Sequence, residues 1–339
     1  MTADALRPTS FTDFGGQPDL VRDLNILIEA AKGRQQLCDH ILLSGPPGLG
    51  KTTLAGVIAH ELGIPLITTS APALGKSGDV ASLLSSLSVP SVVFVDEIHA
   101  LPVAAEEMLY SALEDGVLDF IVGEGVKSRT LRINLTPFVL VGATTQSGAL
   151  SAPLRDRFGF HGRVKLYDNE ALTSIVCRSS TLLDLELDTD AAEIIAGRSR
   201  GTPRVANRWL RRVRDWAQVY NFDHIDSSVA VKALDAFGVD ELGLDELGRE
   251  ILLTLISQFR GGPVGVNTLA AAVGEAPATI EEVYEPHLMR SGLLSRTPRG
   301  RMATDAAWAH LGLKAPNLTA SAIQLGQPSF FDDSLPAST

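Results

Sequence analysis

The sequence predicts an α/β protein with a parallel sheet in its N-terminal half, a small helical domain after it and a winged helix near its C-terminus. Between residues 41 and 164, short apolar runs alternate with amphipathic helical segments, which is typical of parallel strands covered by helices on both faces. From 168 to 237 only helical periodicity remains. From 249 to 311 helical segments precede a short hairpin, the order of a winged helix.

Changes in composition divide the chain into four parts. Residues 1–167 contain the predicted sheet, 168–238 the helical domain and 239–312 the winged helix. Residues 238–248 are rich in glycine and acidic side chains, which indicates a linker. The tail, 313–339, is rich in proline, serine and alanine with little periodicity, and it is predicted to be disordered.

The composition is that of a globular protein, with 45% hydrophobic and 20% charged residues among 339. No apolar run approaches the roughly 18–20 residues that span a bilayer, and the first residues do not resemble a signal peptide. Cys38 and Cys177 are isolated, which argues against a disulfide scaffold or a zinc site. We therefore expect a cytoplasmic protein that does not enter a membrane. Its net charge of −11 means that any DNA contact must be a local basic feature.

The first strand leads into a phosphate-binding motif. The segment from Gly45 to Thr52 matches G-x-x-x-x-G-K-[ST], follows the strand 41–44 and precedes a helical segment, 53–62. Glycines there let backbone N–H groups surround phosphates, and the helix N-terminus adds positive potential. Lys51 is predicted to reach the β and γ phosphates of ATP, and Thr52 to hold Mg²⁺. The alternative is a glycine-rich turn without a ligand.

Two carboxylates follow another buried strand. The apolar run 92–95 ends in Asp96 and Glu97, and ligands of parallel sheets gather at the carboxyl ends of the strands. We expect Asp96 to face Mg²⁺, directly or through water, and Glu97 to polarise the attacking water. A solvated acidic strand end is the alternative. The position of His99 is equally compatible with a catalytic role and with packing or helix capping.

Small hydroxyl residues follow a third buried strand, 138–141. A polar side chain at this point could contact the γ-phosphate or the attacking water. Thr145 is the candidate for that role, and a simple turn role is equally compatible with its position.

Two arginines flank Asp156 at a predicted boundary between a strand and a helix. They are Arg155 and Arg157. A guanidinium suits the spread charge of a phosphoryl-transfer transition state. From this segment alone, however, a salt bridge with Asp156 is the better interpretation.

A helix start lies at Thr202, Pro203 and Arg204. Thr202 can cap the helix and Pro203 fits its first position. Arg204 then lies beside the positive end of the helix dipole, which is unfavourable for a cation unless an anion is near. A nucleotide phosphate is the obvious anion. Arg208 and Arg211, on the same face, are better explained as a solvated basic surface.

The order of these motifs resembles that of AAA+ ATPases. The amino-acid sequences of the motifs resemble those of the RuvB family within that group. The resemblance covers about Leu6 to Gly312, nearly the whole chain. The first P-loop motif is shared by many nucleotidases, whereas the last two segments, together with the others, are specific. The resembling segments are 6–8, 13–17, 45–53, 96–99, 153–159, 200–204, 261–265 and 296–301.

The resemblance implies roles for the matching positions. Leu6, Arg7 and Tyr167 would line the adenine pocket. Arg157 would be an arginine finger that reaches the ATP of the neighbouring subunit, and Arg204 would report the nucleotide state to the helical domain. The other positions implied to contact the nucleotide are Gly45, Gly48, Gly50, Lys51, Thr52, Thr53, Glu114, Asp115 and Gly116.

The resemblance also implies an activity and its partners. It implies a hexameric ring that uses ATP and Mg²⁺ to drive branch migration of Holliday junctions in recombination and repair. The implied partners are four-way junction or duplex DNA and RuvA, with RuvC as a further candidate. A clamp loader is a rival, but the zinc-type cysteine clusters or collar domain that it predicts are not found in the sequence. A regulatory module that binds nucleotide with little turnover is a second rival, against which the complete set of catalytic residues argues.

Three positions depart from the pattern of the family. The family usually has arginine at the positions of Ala100 and Gln146, and a bulkier residue at Gly116. These changes leave the residues predicted to hydrolyse ATP intact. They place in doubt the contacts between subunits, or the coupling of ATP hydrolysis to movement.

A hairpin is predicted within residues 118–135. Apolar residues alternate on both arms, and Phe120, Val122, Leu131 and Ile133 could form one apolar face. In the family, a hairpin at this place docks RuvA. Packing of the hairpin on its own core is the alternative.

The last predicted element is a basic hairpin that would form the wing. Arg296, Arg299 and Arg301 lie on one tight turn, where they could contact DNA phosphates without reading sequence. A solvated surface turn is the alternative. In the tail, residues 327–331 weakly resemble peptides that bind bacterial sliding clamps, which suggests a possible further partner.

Overall fold

The computed structural model describes residues 6–122 and 129–315, and the side chains of residues 120–122 and 129–131 lie outside that description. The chain forms two compact units, which divide between Gly243 and Leu244. No helix in the described ranges is both long and apolar enough to cross a bilayer. The predicted clamp-binding segment, 327–331, lies outside the described residues.

A parallel sheet is the centre of the first unit. Its five strands have the order β2-β3-β6-β1-β7, and each pairs in parallel with its neighbours. The two remaining pairs are an antiparallel hairpin, β4–β5, and a short parallel pair, β8–β9. The strands are β1 (Ile41–Ser44), β2 (Leu66–Ser70), β3 (Ser91–Asp96), β4 (Val117–Val122), β5 (Arg129–Asn134), β6 (Phe138–Thr144), β7 (Phe160–Arg163), β8 (Glu186–Leu187) and β9 (His224–Ile225).

Helices cover the sheet and form a helical region after it. One apolar cluster joins a face of the sheet to the helical region, and a second cluster lies on the other face. All seven residues of β6 are buried, as expected for a central parallel strand. The helices are α1 (Pro18–Gly33), α2 (Lys51–Leu62), α3 (Ser77–Ser85), α4 (Val103–Glu114), α5 (Ala152–Arg155), α6 (Asn169–Leu182), α7 (Thr189–Gly197), α8 (Pro203–Val219) and α9 (Ser227–Ala236).

The second unit contains short helices and a two-stranded hairpin around its own apolar core. Its helices begin within the predicted linker, because the Asp245 carboxylate caps a helix by accepting a hydrogen bond from the Gly248 N–H at 3.0 Å. The elements are α10 (Glu246–Ser257), α11 (Val266–Val273), α12 (Pro277–Thr279), a π-helical turn (Ile280–Tyr284), α13 (Glu285–Arg290), β10 (Leu294–Thr297), β11 (Gly300–Ala303) and α14 (Asp305–His310).

The structure corrects the sequence-based prediction in the region 168–237. Helices dominate there as predicted, but β8 and β9 also form a parallel pair, with Glu186 opposite His224 and Leu187 opposite Ile225. Two residues are too short to produce a strand pattern in the sequence. The boundary between Arg155 and Phe160 is also the reverse of the prediction, because a helix precedes a strand at this point.

Candidate functional site

The P-loop joins β1 to α2 in a conformation that requires glycine. Gly45 has φ 145°, and a Cβ atom on it would lie 2.3 Å from the Val164 carbonyl oxygen. Gly50, immediately before α2, has φ 99°. The Lys51 side chain lies inside the loop, where its Nζ donates hydrogen bonds to the Gly45 and Pro46 carbonyl oxygens at 2.7 and 3.1 Å. Phosphate oxygens of a nucleotide can replace these two carbonyl oxygens as acceptors for the Lys51 ammonium group.

A cleft of about 540 Å³ opens beside this loop. Most of the predicted nucleotide-contact residues meet in it, although they come from distant parts of the first unit. The predicted residues that line the cleft are Leu6, Arg7, Gly48, Gly50, Lys51, Thr52, Thr53, Asp96, Glu97, Tyr167 and Arg204. The predicted residues outside its lining are Gly45, Glu114, Asp115, Gly116, Thr145 and Arg157.

One wall of the cleft is built from the N-terminal segment and the residues around Tyr167. An Arg178 Nη1 donates a hydrogen bond to the Leu6 carbonyl oxygen at 3.0 Å, and the Tyr167 hydroxyl donates to the Leu49 carbonyl oxygen at 3.1 Å. Burial raises the pKa of Tyr167, so the phenol stays protonated as a donor. Tyr167 and Arg178 therefore tie this wall to the P-loop and to the segment at Leu6.

The acidic strand end faces the same cleft. Asp96 ends β3, and its Oδ1 accepts a hydrogen bond from the Glu97 N–H at 3.1 Å. Glu97 has φ 49°, a left-handed conformation that is costly outside glycine and is often found at functional sites. Burial lowers the pKa of Lys51, and the charges of Glu97 and Asp96 oppose that effect. The cleft thus holds one buried cation beside two carboxylates.

Thr145 contacts the Glu97 carboxylate from outside the cleft lining. Its hydroxyl and its backbone N–H donate to Glu97 Oε2 at 2.9 and 3.2 Å. His99 Nδ1 lies 3.3 Å from the same oxygen and 3.0 Å from the hydroxyl of Thr144. The carboxylate is therefore held by the end of β6. The sequence pattern included Thr144 among its small hydroxyl residues but chose Thr145 as the candidate, and His99 was left open between packing and catalysis.

The residues proposed to hold Mg²⁺ fit that ion. Thr52 and Asp96 line one cleft, and they offer a hydroxyl and a carboxylate oxygen. Mg²⁺ takes oxygen ligands, keeps several waters and is commonly held by one or two protein groups together with phosphates. This donor set suits a cation that arrives with a nucleotide.

Arg204 packs against the P-loop at the start of α8. Its backbone N–H donates to the Gly48 carbonyl oxygen at 3.3 Å, and its exposed side chain lines the cleft. Thr202 occupies the N-cap position as predicted, but its side chain makes no capping hydrogen bond. The helical region therefore touches the P-loop directly through this turn.

We predict that Gly48→Ala weakens ATP binding about tenfold or more, because alanine resists left-handed backbone at a cost of roughly 1–2 kcal/mol and also collides here. Gly48 has φ 78°, and a Cβ atom would lie 2.9 Å from Thr202 Cγ2 and 3.2 Å from Arg204 Cβ. Titration with a fluorescent ATP analogue measures the effect. Gly56→Ala, within α2, is the matched control, since its Cβ meets nothing within 4 Å. Equal affinities for the two variants would contradict the prediction.

Arg157 lies on the turn between α5 and β7, away from the cleft lining. Its Nη2 pairs with Glu114 Oε2 at 2.5 Å, and its guanidinium carbon lies 5.8 Å from the centre of the Tyr110 ring. The salt bridge with Asp156 that the sequence favoured is replaced by this pair. Among the described residues, Arg157 Nε is a buried donor without a hydrogen-bond partner. Glu114 therefore belongs to the neighbourhood of Arg157 rather than to the cleft of its own chain.

The positions that depart from the family pattern all lie on the surface. Ala100, Gln146 and Gly116 are exposed. Gly116 follows α4 with φ 66°, and a Cβ atom on it would meet nothing within 4 Å. These sites leave the P-loop and the two carboxylates untouched.

The predicted wing is the β10–β11 hairpin. The structure corrects the predicted DNA-binding role of one of its three arginines. Arg301 is buried, and it pairs with Glu285 and Glu281 at 2.5 Å each. It therefore anchors the hairpin to the preceding helix and is not available to DNA. Arg296 is 57% exposed at its side chain and lies 3.6 Å from Glu281. Arg299, at the tip of the turn, is exposed.

We predict that Arg301→Ala lowers the stability of the second unit by about 3–5 kcal/mol, because it leaves a buried carboxylate without its partner. Glu285, the carboxylate left behind, is 2% exposed. Urea unfolding followed by tryptophan fluorescence measures the loss. Arg299→Ala is the control, with stability changed by about 0.5 kcal/mol or less and weaker binding of duplex DNA. A stable Arg301→Ala protein that has lost DNA binding would restore the sequence-based assignment.

The predicted hairpin forms as β4–β5, and the structure gives its register. Leu118 lies opposite Ile133, and Phe120 opposite Leu131. Ile133 is partly exposed, whereas the side chains of Phe120, Val122 and Leu131 lie outside the described residues. Leu118 is fully buried and belongs to the core beneath α4, so the base of the hairpin packs on its own domain.

Comparison with known proteins gives a consistent result over nearly all of residues 6–312. Residues 6–164 match the family model described as Holliday junction DNA helicase RuvB P-loop domain. Residues 167–240 match the RuvB AAA lid domain, and 241–312 match the RuvB C-terminal winged helix domain.

Relatives match over nearly their full length. The Holliday junction branch migration complex subunit RuvB of Corynebacterium aurimucosum is 55% identical over 312 residues, which cover 92% of this chain and 86% of that protein. The protein of the same name from Mycobacterium avium is 54% identical over 328 residues, covering 97% and 93%. A solved structure described as Thermotoga maritima RuvB Holliday junction branch migration motor superposes with a TM-score of 0.82 at 47% identity, covering 92% of this chain and all of that one.

Proposed function

The chain belongs to the RuvB family, and from that premise we propose that it hydrolyses ATP to drive branch migration of Holliday junctions. We infer a large ATPase domain (1–167), a small helical domain (168–238), a winged-helix DNA-binding domain (239–312) and a tail (313–339). The observation that carries the proposal is the convergence of Lys51, Asp96 and Glu97 on one cleft.

The cleft is suited to hold ATP between the adenine wall and the P-loop. Lys51 would exchange its bonds to the Gly45 and Pro46 carbonyls for bonds to phosphate oxygens, so its buried charge stays hydrogen-bonded before and after binding. Backbone N–H groups at the start of α2 would face the same phosphates. Mg²⁺, held by Thr52 and Asp96, would neutralise charge on the phosphates as it builds up.

Glu97 is the candidate to orient the attacking water. Its carboxylate is held by Thr145 and approached by His99, and this arrangement keeps it oriented at the end of β3. Thr145 would thus act through Glu97, rather than by the direct contact with the γ-phosphate or the attacking water that the sequence suggested. Arg204 reaches the cleft from α8. Binding or loss of the nucleotide phosphates would therefore alter the contacts of the helical region through Arg204.

The position of Arg157 supports action on a second copy of the chain. Arg157 does not line its own cleft; it lies on the turn between α5 and β7 and pairs with Glu114 at the end of α4. A guanidinium supplied by a neighbour is a common stabiliser of phosphoryl transfer. We therefore propose a ring, hexameric as in the family resemblance, in which Glu114, Asp115 and Gly116 accompany Arg157 to the neighbouring nucleotide.

DNA contact is proposed for the wing. Arg299 is exposed at the hairpin tip and Arg296 is largely exposed beside it, whereas the preceding helical run carries Glu281, Glu282 and Glu285. The exposed Glu282 and the partly exposed Glu281 would repel phosphates, whereas Glu285 is buried, so the wing is the better contact. We further propose that the β4–β5 hairpin binds RuvA and that the protein acts in the cytoplasm.

The test is branch migration of a synthetic four-way junction with Mg²⁺ and ATP, with and without RuvA. We expect movement that requires ATP hydrolysis and is strengthened by RuvA. Hydrolysis without movement, under conditions where the Thermotoga maritima protein succeeds, would keep the ATPase and reject the junction motor. It would then direct attention to Ala100, Gln146 and the wing.

A further inference from the structure

We propose that Glu106 and Tyr110 of α4 are positioning residues that set the orientation of Arg157 through Ser151. The inference rests on the proposed role of Arg157 toward a neighbouring subunit. It concerns side chains that lie outside the ATP cleft and were not among the predicted site residues.

A stripe on one face of α4 faces the segment that carries Arg157. Glu106, Tyr110 and Glu114 are spaced four residues apart, which places them above one another on an α-helix. Glu106 and Tyr110 contact Ser151, at the start of α5, and Tyr110 and Glu114 contact the Arg157 side chain. The stripe therefore holds both ends of the α5 segment.

Ser151 is the centre of a partly buried hydrogen-bond network. Its Oγ donates to Glu106 Oε2 at 2.6 Å and lies 3.3 Å from the Tyr110 hydroxyl, which donates to the same carboxylate oxygen at 3.2 Å. Glu106 is only 7% exposed. A buried carboxylate is costly unless hydrogen bonds satisfy it, so this contact strongly favours one arrangement of α4 and α5.

The network reaches Arg157 through a short rigid segment. Ser151 caps α5 by accepting a hydrogen bond from the Leu154 N–H at 3.4 Å, and the Arg157 N–H donates to the Leu154 carbonyl oxygen at 3.2 Å. Leu154 itself is fully buried. Because α5 has a single turn, displacement of its cap shifts the residues that follow it.

The exposed partner of Arg157 is the weaker constraint. The Glu114 side chain is 60% exposed, and exposed ion pairs hold side chains weakly because solvent screens them. Phosphate oxygens of a neighbouring nucleotide can therefore replace Glu114. The Tyr110 ring beneath the guanidinium and the buried Glu106 contact would remain in place during that exchange.

Assemblies made from two kinds of subunit test the proposal. The donor carries Glu97→Gln and keeps Arg157; the acceptor carries Arg157→Ala and keeps Glu97. Only an acceptor cleft completed by a donor finger can hydrolyse ATP efficiently. Tyr110→Leu or Ser151→Ala is then placed either in the donor or in the acceptor, with Glu107→Ala, an exposed neighbour on α4, as the matched control.

We expect either substitution in the donor to lower hydrolysis by about tenfold or more, since a misplacement of about 1 Å can cost about a hundredfold. In the acceptor the same substitution has no finger to misplace, so hydrolysis stays within about twofold of the unsubstituted pair. Tyr110→Phe in the donor keeps the ring beneath the guanidinium, and Ser151 keeps its hydrogen bond to Glu106 when the Tyr110 hydroxyl is lost, so this variant should retain most of the rate. Size-exclusion chromatography and ATP titration check that each mixture assembles and binds.

Three outcomes would overturn the proposal. Equal losses from donor and acceptor placement would show a general structural role, and no loss from donor placement would show that the stripe does not orient Arg157. If the unsubstituted donor and acceptor together hydrolyse no faster than either alone, the proposed action of Arg157 between subunits is wrong, and the inference fails with it.

Discussion

Replacing Glu97 with glutamine is expected to lower the rate of ATP hydrolysis by about 10²–10⁴-fold while ATP affinity changes by about twofold or less. The amide is nearly the same size, and its carbonyl oxygen can still accept the hydrogen bonds that Thr145 donates. It cannot take up a proton from water, however, and it no longer orients water by charge. Steady-state phosphate release and nucleotide titration measure the two effects separately.

A matched control for this variant is Glu107→Gln, which makes the same change on an exposed side chain of α4. That protein should hydrolyse ATP at the normal rate. Unchanged hydrolysis by Glu97→Gln would show that another group activates the water. Loss of ATP binding would instead show that Glu97 belongs to the nucleotide-binding contacts.

The sequence was sufficient to predict the cleft because its parts are defined by local patterns. The P-loop before α2 and the carboxylates after β3 each follow a buried strand, and parallel strands bring their carboxyl ends to one edge. Lys51 and Glu97 could therefore be placed together without knowledge of the fold. Leu6, Arg7 and Tyr167 were implied only by family resemblance, since no local pattern joins residues so far apart in the chain.

The burial and the ion-pair partners of the arginines could not be predicted from the sequence. Arg299 and Arg301 lie two residues apart on one hairpin, yet Arg299 is exposed and Arg301 is buried. Residues two positions apart on a strand share one face, but Arg299 lies in the turn before β11, and only the pairing of Arg301 with Glu281 and Glu285 shows that Arg301 is buried. Arg157 likewise pairs with Glu114, which lies 43 positions earlier, rather than with adjacent Asp156. Partners that are distant in sequence were outside the reach of any local pattern.

The short elements were missed for a related reason. The parallel pair β8–β9 contains two residues per strand, too few for a period to be recognised. β7 contains Gly162 and Arg163 and has a mixed burial pattern, because it lies at the edge of the sheet. Long, doubly buried strands such as β6 gave the clearest signal, since both faces select apolar residues.

Replacing Arg157 with alanine is expected to lower ATP hydrolysis by about 10³-fold or more, because an arginine finger contributes about 10³–10⁵ to the rate of phosphoryl transfer. ATP binding to the variant should remain near normal, since Arg157 does not line the cleft of its own chain. Removal of the side chain also leaves Glu114 exposed and solvated, which costs little stability. Junction movement should be lost with hydrolysis.

Arg155→Ala is the matched control, since Arg155 is an exposed arginine two positions away on the same segment. It should retain both hydrolysis and junction movement. Mixing Arg157→Ala subunits with Glu97→Gln subunits then separates a finger that acts on its own chain from one that acts on a neighbour. A finger acting within one chain leaves both kinds of subunit defective, so the mixture stays inactive. Recovered hydrolysis requires an intact cleft on one subunit and an intact Arg157 on the next, and this arrangement exists only if ATP is bound between subunits.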